Sequence, residues 1–151
     1  DVALDDARVD GADLGHAHEP DSAARPMELS DLMLFDYLLE NLDRWGGDFT
    51  NVRVRGAGGP LIFLDNAGGF PPGPARHAVM DTRLRAVERF RATTVAAIEG
   101  LDLDRLAERM ATDPAGFALT PDDRADLQVR RRALLDHVAA VRAVRGDDAL
   151  W

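Results

Sequence analysis

Two acidic residues, Asp43 and Asp65, have a placement in this sequence that suggests chemistry. Asp43 follows an amphipathic stretch that predicts a helix, and Asp65 follows an apolar run, Leu61-Ile62-Phe63-Leu64, that predicts a strand. A shorter strand is predicted to open at Asn51, so both carboxylates lie at the mouth of one small β-hairpin. Phosphoryl transfer needs such a pair, because one acid lies beside the attacking hydroxyl and another holds the metal on the nucleotide phosphates.

Asp43 is predicted to lie at the end of the helix or just beyond it. Trp45 is followed by Gly46-Gly47, and paired glycines are poor helix formers that accept the dihedral angles of a tight exit. A carboxylate placed there beside an acceptor hydroxyl would orient it and take its proton, which contributes about 10²- to 10⁴-fold in rate. The alternative is a surface aspartate that pairs with Arg44 or another neighbour.

Asp65 is predicted to emerge from a buried strand, covered on both faces, into a flexible exit formed by residues 66–69, Asn-Ala-Gly-Gly. A carboxylate on such a rigid support can bind a metal that bridges two phosphates. The alternative is an Asp-Asn turn, in which the side chain bonds its own backbone. The pairing with Asp43 across the hairpin favours the metal site.

The order of these parts resembles the protein kinases, in which a catalytic-loop Asp is followed by an Asn and then by a strand that ends in a metal-binding Asp. More narrowly, the chain resembles the four-jointed and Fam20-like secretory-pathway kinases, and four-jointed is the closer match. In that group the catalytic Asp lies in an Asn-x-Asp-Arg run, and Asp-Asn-Gly or a close variant replaces Asp-Phe-Gly. The matching segments are Phe35-Asp36-Tyr37-Leu38, Asn41-Leu42-Asp43-Arg44 and Phe63-Leu64-Asp65-Asn66-Ala67-Gly68.

The resemblance covers residues 29 to 100 approximately and is to the C-lobe portion of such a kinase, as in a bacterial homologue. It implies a kinase-like C-lobe fold, ATP as the phosphoryl donor, and Mg²⁺ or Mn²⁺ as the metal. The acceptor that it implies is a protein Ser or Thr or a sugar hydroxyl, and it suggests a secretory or extracytoplasmic location that the sequence itself does not decide.

The second metal ligand departs from the kinase pattern. An Asn commonly stands about five positions after the catalytic Asp, and that offset from Asp43 falls on Asp48. Asn51 lies directly before the predicted strand, where the strand start holds its geometry, so Asn51 is the preferred ligand with Asp65 and Asp48 is the alternative. Either side chain offers the oxygen that Mg²⁺ or Mn²⁺ prefers.

Composition limits the function classes. The 151 residues suit one domain. All 18 basic residues are Arg, so the Lys that a kinase N-lobe supplies to the phosphates must come from a lobe outside this sequence, on the same or another chain. The net charge of -9 argues against a nucleic-acid partner. There is no cysteine for disulfides or zinc, and no apolar run approaches a membrane span.

The predicted fold is mainly α with a small β-hairpin, divided into an acidic, mostly loop segment at 1–26, a kinase-like C-lobe at 27–146 and a tail at 147–151. Ser30 is the expected N-cap of the first helix, with Asp36 and Glu40 facing solvent or the rim. Further helices are predicted from Ala78 to Ile98, from Leu101 to Met110, and from the N-cap Thr120 to Arg145, with Arg130-Arg131-Arg132 as a solvated face.

Other functions remain open. The chain is alternatively a pseudokinase or lone C-lobe that binds a protein partner without chemistry, or a small-molecule or lipid kinase. His16 and His18 have no third ligand for a metal, and His77 has no partner for acid-base chemistry in the sequence pattern, so we assign these histidines no role.

Overall fold

A computed structural model of the protein describes residues 24–45, 51–54, 59–114 and 118–151. The described part of the chain is mainly helical with one two-stranded antiparallel sheet, as the sequence predicts, and the chain divides into two compact units between Pro72 and Gly73. The elements are α1 (Arg25–Leu39), β1 (Val52–Val54), β2 (Leu61–Phe63), α2 (Ala78–Arg85), α3 (Ala92–Glu99), α4 (Leu103–Ala111) and α5 (Pro121–Arg145), followed by a 3₁₀ turn at Gly146–Ala149. Of the helices in these ranges, none has both the length and the apolarity that crossing a bilayer requires.

The first helix begins earlier than the sequence pattern suggests. We expected residues 1–26 to be mostly loop and Ser30 to cap the helix, but α1 begins at Arg25, and Ser30 is buried within it. Pro26 does not break the helix because it lies in the first turn, where its missing N–H is not needed. At the other end, Glu40 takes a left-handed conformation (φ 56°) and its amide bonds back to α1 carbonyls, which ends the helix at Leu39. The prediction that Gly46-Gly47 ends this helix was therefore wrong, because the backbone turns at Glu40 first. Residues 1–23, with His16 and His18, lie outside the described ranges.

Helix α1 is buried around most of its circumference. Leu32, Leu34 and Tyr37 are fully buried, which confirms that the helix is mostly core. Asp36 and Glu40 are also fully buried, so the expectation that they face solvent was wrong. With apolar residues on nearly every face, the helical periodicity did not define an outside, and the two acids were assigned there by polarity alone.

The predicted β-hairpin is confirmed. Val52 pairs with Phe63, Arg53 with Ile62 and Val54 with Leu61 in antiparallel register. All three residues of β2 are only partly buried, so the expected coverage of both faces was wrong. The apolar run instead packs partly against α1, where the Phe63 ring lies 5.9 Å from the Phe35 ring.

The carboxy-terminal unit contains a break that the sequence pattern did not predict. We expected one helix from Ala78 to Ile98, but α2 ends at Arg85 and α3 begins at Ala92. Between them Phe90 is fully buried and pairs with the chain end: its N–H donates to the Ala149 carbonyl (2.9 Å), and its carbonyl accepts from the Trp151 amide (3.0 Å). Because this strand-like pairing uses a segment about 60 residues away, local periodicity could not reveal it.

Helix α5 begins as predicted but is less solvated than expected. Thr120 and Asp123 form a capping box at its start. Arg130 is buried and donates to the Ala75 carbonyl at 2.9 Å. Arg131 donates to the Ile98 and Glu99 carbonyls at the end of α3. The solvated face therefore holds for Arg132 alone among the three consecutive arginines, because long guanidinium side chains satisfy backbone carbonyls that a helix end leaves open.

Replacing the N-cap, Thr120→Ala, should lower the free energy of unfolding by about 1 kcal/mol, because the Asp123 amide loses its acceptor. The measurement is urea denaturation. Thr93→Ala is the matched control, since Thr93 is exposed within α3 and alanine favours helix there. An equal loss in both variants would show that the capping box contributes nothing specific.

Candidate functional site

The candidate site is built on a buried arginine, Arg44. Its side chain is fully buried, and its Nε donates to both carboxylate oxygens of Asp36 at 2.8 Å. Its Nη1 donates to the backbone carbonyls of Asn51 (2.9 Å) and Leu64 (2.6 Å). Its Nη2 donates to the side-chain Oδ1 of Asn66. One side chain thus joins α1, the residue before β1, the residue after β2 and the loop that follows.

The ion pair between Arg44 and Asp36 explains why an acid is tolerated inside α1. Both side chains have no exposed area, and a buried charge is tolerated only when it is paired and hydrogen-bonded. The guanidinium meets this condition through its fork of N–H donors, which reach the carboxylate and three further oxygens. Arg44 is therefore the anchor of the amino-terminal unit, a role that the sequence pattern did not reveal.

Asp43 precedes this anchor and is itself exposed. Its backbone N–H donates to Oδ1 of Asn41 at 3.3 Å, and it lies beyond the end of α1, as the sequence predicts. The structure does not support the alternative in which Asp43 pairs with Arg44, because the guanidinium is already bonded to Asp36 and the hairpin. The carboxylate of Asp43 is thus exposed, while contacts of Asn41 and Arg44 hold the Asp43 backbone in place.

The loop after β2 passes directly over the Asp43 loop. A Cβ added to Gly68 would lie 2.7 Å from Oδ1 of Asn41 and 3.0 Å from Cβ of Asp43. A side chain at this position would force Asn41 to shift, so glycine suits the close approach of the two loops. Asn41 is fully buried beneath it, and its Nδ2 finds no hydrogen-bond partner among the described residues.

Asp65 lies on this second loop and is exposed. Its φ of 46° is left-handed, and its Oδ1 accepts from the Ala67 amide at 3.3 Å. The turn that the sequence analysis gave as the alternative role is thus present. This hydrogen bond uses one acceptor position of the Asp65 side chain, and an ionised carboxylate has about four. Leu64 and Asn66, on either side of Asp65, both bond to Arg44.

The structure therefore brings the Asp43 and Asp65 loops side by side around Arg44. Asn51 joins them through its backbone carbonyl, which also accepts from the Leu64 amide at 3.2 Å. Its side chain is half-buried and makes no hydrogen bond within the described part of the chain. Asp48, the alternative ligand, lies outside the described residues.

His77 and His137 belong to the carboxy-terminal unit. Nε2 of His137 lies 2.8 Å from the Val87 carbonyl, and its ring meets Phe90 edge-on at 5.8 Å. His137 is thus a packed residue. His77 is the residue before α2.

The two predicted metal ligands, Asp65 and Asn51, carry oxygen donors. Asp65 offers carboxylate oxygens and Asn51 an amide oxygen, which is the chemistry that Mg²⁺ and Mn²⁺ prefer. Across ranges 24–45, 51–54, 59–114 and 118–151, no cluster of three or more His, Cys, Asp or Glu is placed to hold a metal. Mg²⁺ is usually held by one or two carboxylates together with substrate phosphates and water.

Comparison with known proteins identified no relative of this chain. No protein-family model matches the chain, and no curated protein or solved structure matches it. The resemblance to the four-jointed and Fam20-like kinases therefore rests on the two short motifs and their order along the chain.

Removing the anchor with Arg44→Met should cost about 3–5 kcal/mol of unfolding free energy, because Asp36 is left charged and buried. The double variant Asp36→Leu/Arg44→Met should be more stable than Arg44→Met alone, since no orphaned charge remains. Denaturation in guanidinium chloride gives the free energy of unfolding of the unaltered chain, the single variant and the double variant.

Arg124→Met is the matched control for that series. Arg124 pairs with Asp104, which is 86% exposed, so its loss should cost less than about 1 kcal/mol. A double variant no more stable than Arg44→Met would show that the buried charge is not what makes the single substitution costly.

Proposed function

We propose that this chain is the C-lobe portion of a four-jointed or Fam20-like kinase that transfers the γ-phosphoryl group of ATP to a hydroxyl acceptor. The observation that carries the proposal is the contact set of Arg44, which bonds to the residues on both sides of Asp65 while it directly follows Asp43. Two exposed carboxylates on adjoining, anchored loops match the division of labour that phosphoryl transfer requires.

Asp43 is the proposed catalytic base. Its side chain is exposed, while its backbone is held by Asn41 and by the anchored residue after it. An acceptor hydroxyl that donates a hydrogen bond to this carboxylate is oriented for attack. Its proton passes to Asp43 as its oxygen bonds to the γ-phosphorus, while the bond from that phosphorus to the β–γ bridging oxygen breaks and ADP leaves. The rigid backbone matters because such positioning lowers the entropic part of the barrier.

Asp65 and Asn51 are the proposed metal ligands. When bound, Mg²⁺ or Mn²⁺ would neutralise charge on the phosphates during transfer. The contribution of the chain is to hold the two oxygen donors: the backbone of Asn51 is bonded to Arg44 and Leu64, and Asp65 is held between two residues that contact Arg44.

The proposal assigns the remaining parts to partners. The chain has no Lys, so the cation that contacts the nucleotide phosphates belongs to an N-lobe of the same or another chain. The proposed acceptor is a protein Ser or Thr or a sugar hydroxyl. A small-molecule or lipid kinase would use the same two acids and would differ only in the acceptors that it phosphorylates.

A non-catalytic, protein-binding C-lobe is the second candidate. The hydrogen bond from the Ala67 amide to Asp65 favours it, because a carboxylate whose main task is to stabilise its own turn needs no metal. The two functions differ in one property that is simple to measure, metal-dependent nucleotide binding.

Calorimetric titration of ATP in the presence of Mn²⁺ tests the proposal. The unaltered chain should bind ATP only with the metal, and Asp65→Ala should weaken binding by at least about tenfold through loss of the carboxylate ligand. Asp43→Asn should retain binding, because the base contacts the acceptor rather than the nucleotide.

The control for this titration is Asp136→Ala, which removes an exposed aspartate from α5 and should leave the heats unchanged. Equal heats for the unaltered chain and Asp65→Ala, or no metal-dependent binding by the unaltered chain, would contradict the metal site and favour the protein-binding role.

A further inference from the structure

We infer that Asn66 is a positioning residue that sets Asp65 relative to Asp43 by accepting a hydrogen bond from Arg44. The inference rests on the proposed function, since it assigns a role within the same site. Its basis is that the Oδ1 atom of Asn66, on an exposed loop, accepts from Nη2 of an arginine whose side chain is fully buried.

The Asn66 contact differs in kind from the other contacts of Arg44 with the hairpin. Asn51 and Leu64 accept through backbone carbonyls, which any residue at those positions would offer. Asn66 accepts through its side chain, so this contact depends on the residue type. The identity of residue 66 therefore controls whether the guanidinium also holds the second loop.

The contact is placed where it restrains Asp65 most directly. Arg44 bonds to the residue before Asp65 through Nη1 and to the residue after it through Nη2. Asp65 lies between these two points with a left-handed φ of 46°, which is uncommon for a residue other than glycine and persists where the surroundings enforce it. Without the Asn66 contact, Arg44 would hold the backbone at Asp65 through the Leu64 carbonyl alone.

A neutral acceptor suits this position. The charge of Arg44 is already balanced by Asp36, so Nη2 needs an acceptor oxygen that carries no further negative charge. An amide supplies that oxygen at position 66 without adding a carboxylate next to Asp65. Residues that orient a metal ligand in this way typically change metal affinity by about 10- to 100-fold when they are removed.

The test is the Mn²⁺ affinity of the ATP-bound chain, measured by calorimetry where circular dichroism shows every variant folded. Asn66→Ala should weaken Mn²⁺ binding about tenfold or more. Its urea midpoint should also fall, because Nη2 of the buried Arg44 loses an acceptor. A purely structural role for Asn66 would lower the urea midpoint but leave the Mn²⁺ affinity of the folded protein unchanged, which would overturn the inference.

Gln128→Ala is the matched control. Gln128 is an exposed amide that also accepts from an arginine, Arg131, at 3.4 Å, but in the carboxy-terminal unit. Its removal should leave Mn²⁺ affinity unchanged. A loss of affinity in this variant equal to that of Asn66→Ala would overturn the inference.

A double-mutant cycle with Arg44→Lys shows whether Asn66 acts through Arg44. Lysine keeps the charge beside Asp36 but lacks the guanidinium fork, so Asn66→Ala should cost little additional affinity in that background. Losses that simply add would mean that Asn66 acts independently, for instance as a metal ligand, and would overturn the inference. If Arg44→Lys does not fold, Asn66→Asp is used in its place. This variant keeps an acceptor oxygen and should bind Mn²⁺ better than Asn66→Ala. A loss of Mn²⁺ affinity as large as that of Asn66→Ala would count against the contact.

The outcomes separate this inference from the proposed function. Unchanged affinity in Asn66→Ala, with Asp65→Ala still impaired, overturns the role of Asn66 and leaves the proposed metal site standing. Absence of metal-dependent binding in the unaltered chain overturns the proposed function itself.

Discussion

The amino-terminal unit depends on the burial of one guanidinium group. The side chain of Arg44 is fully buried, and each of its N–H groups that leaves water without finding an oxygen carries a large desolvation cost. The structure provides those oxygens from Asp36, from two backbone carbonyls and from Asn66. The need to satisfy one side chain thereby determines where α1, the hairpin and the loop after it meet.

This arrangement separates the parts that hold the site from the parts that are free to react. Asp36 and Arg44 are buried and paired, whereas Asp43 and Asp65 are exposed on the loops that the pair organises. Binding and catalytic residues often lie on loops that a rigid scaffold positions. The close approach at Gly68 adds a steric constraint, because a side chain at this position would collide with the side chain of Asn41.

Arginine has a similar structural use in the carboxy-terminal unit. Arg130 and Arg131 donate to the carbonyls of Ala75, Ile98 and Glu99, and Arg131 thereby closes the end of α3. All 18 basic residues of the chain are arginine, and the planar fork of this side chain can reach several carbonyls where a lysine would present a single ammonium group. Several arginines of this chain therefore serve the backbone rather than the solvent.

The sequence by itself determined the features that depend on neighbouring residues. The mainly helical fold, the hairpin from Val52 to Phe63 and the capping box at Thr120 follow from local periodicity, turn residues and cap chemistry, and the sequence correctly placed Asp43 just beyond α1 and Asp65 just after β2. Only the tertiary structure decided that Asp36 is buried, that Arg44 is the anchor and that Phe90 interrupts the expected long helix. The physical reason is that a polar group is buried at low cost only when it has a hydrogen-bond partner, and such a partner can come from a distant segment. The Asn66 amide is such a partner for the Arg44 side chain, and the chain end for the Phe90 backbone. Neither partner can be read from the residues beside Arg44 or Phe90.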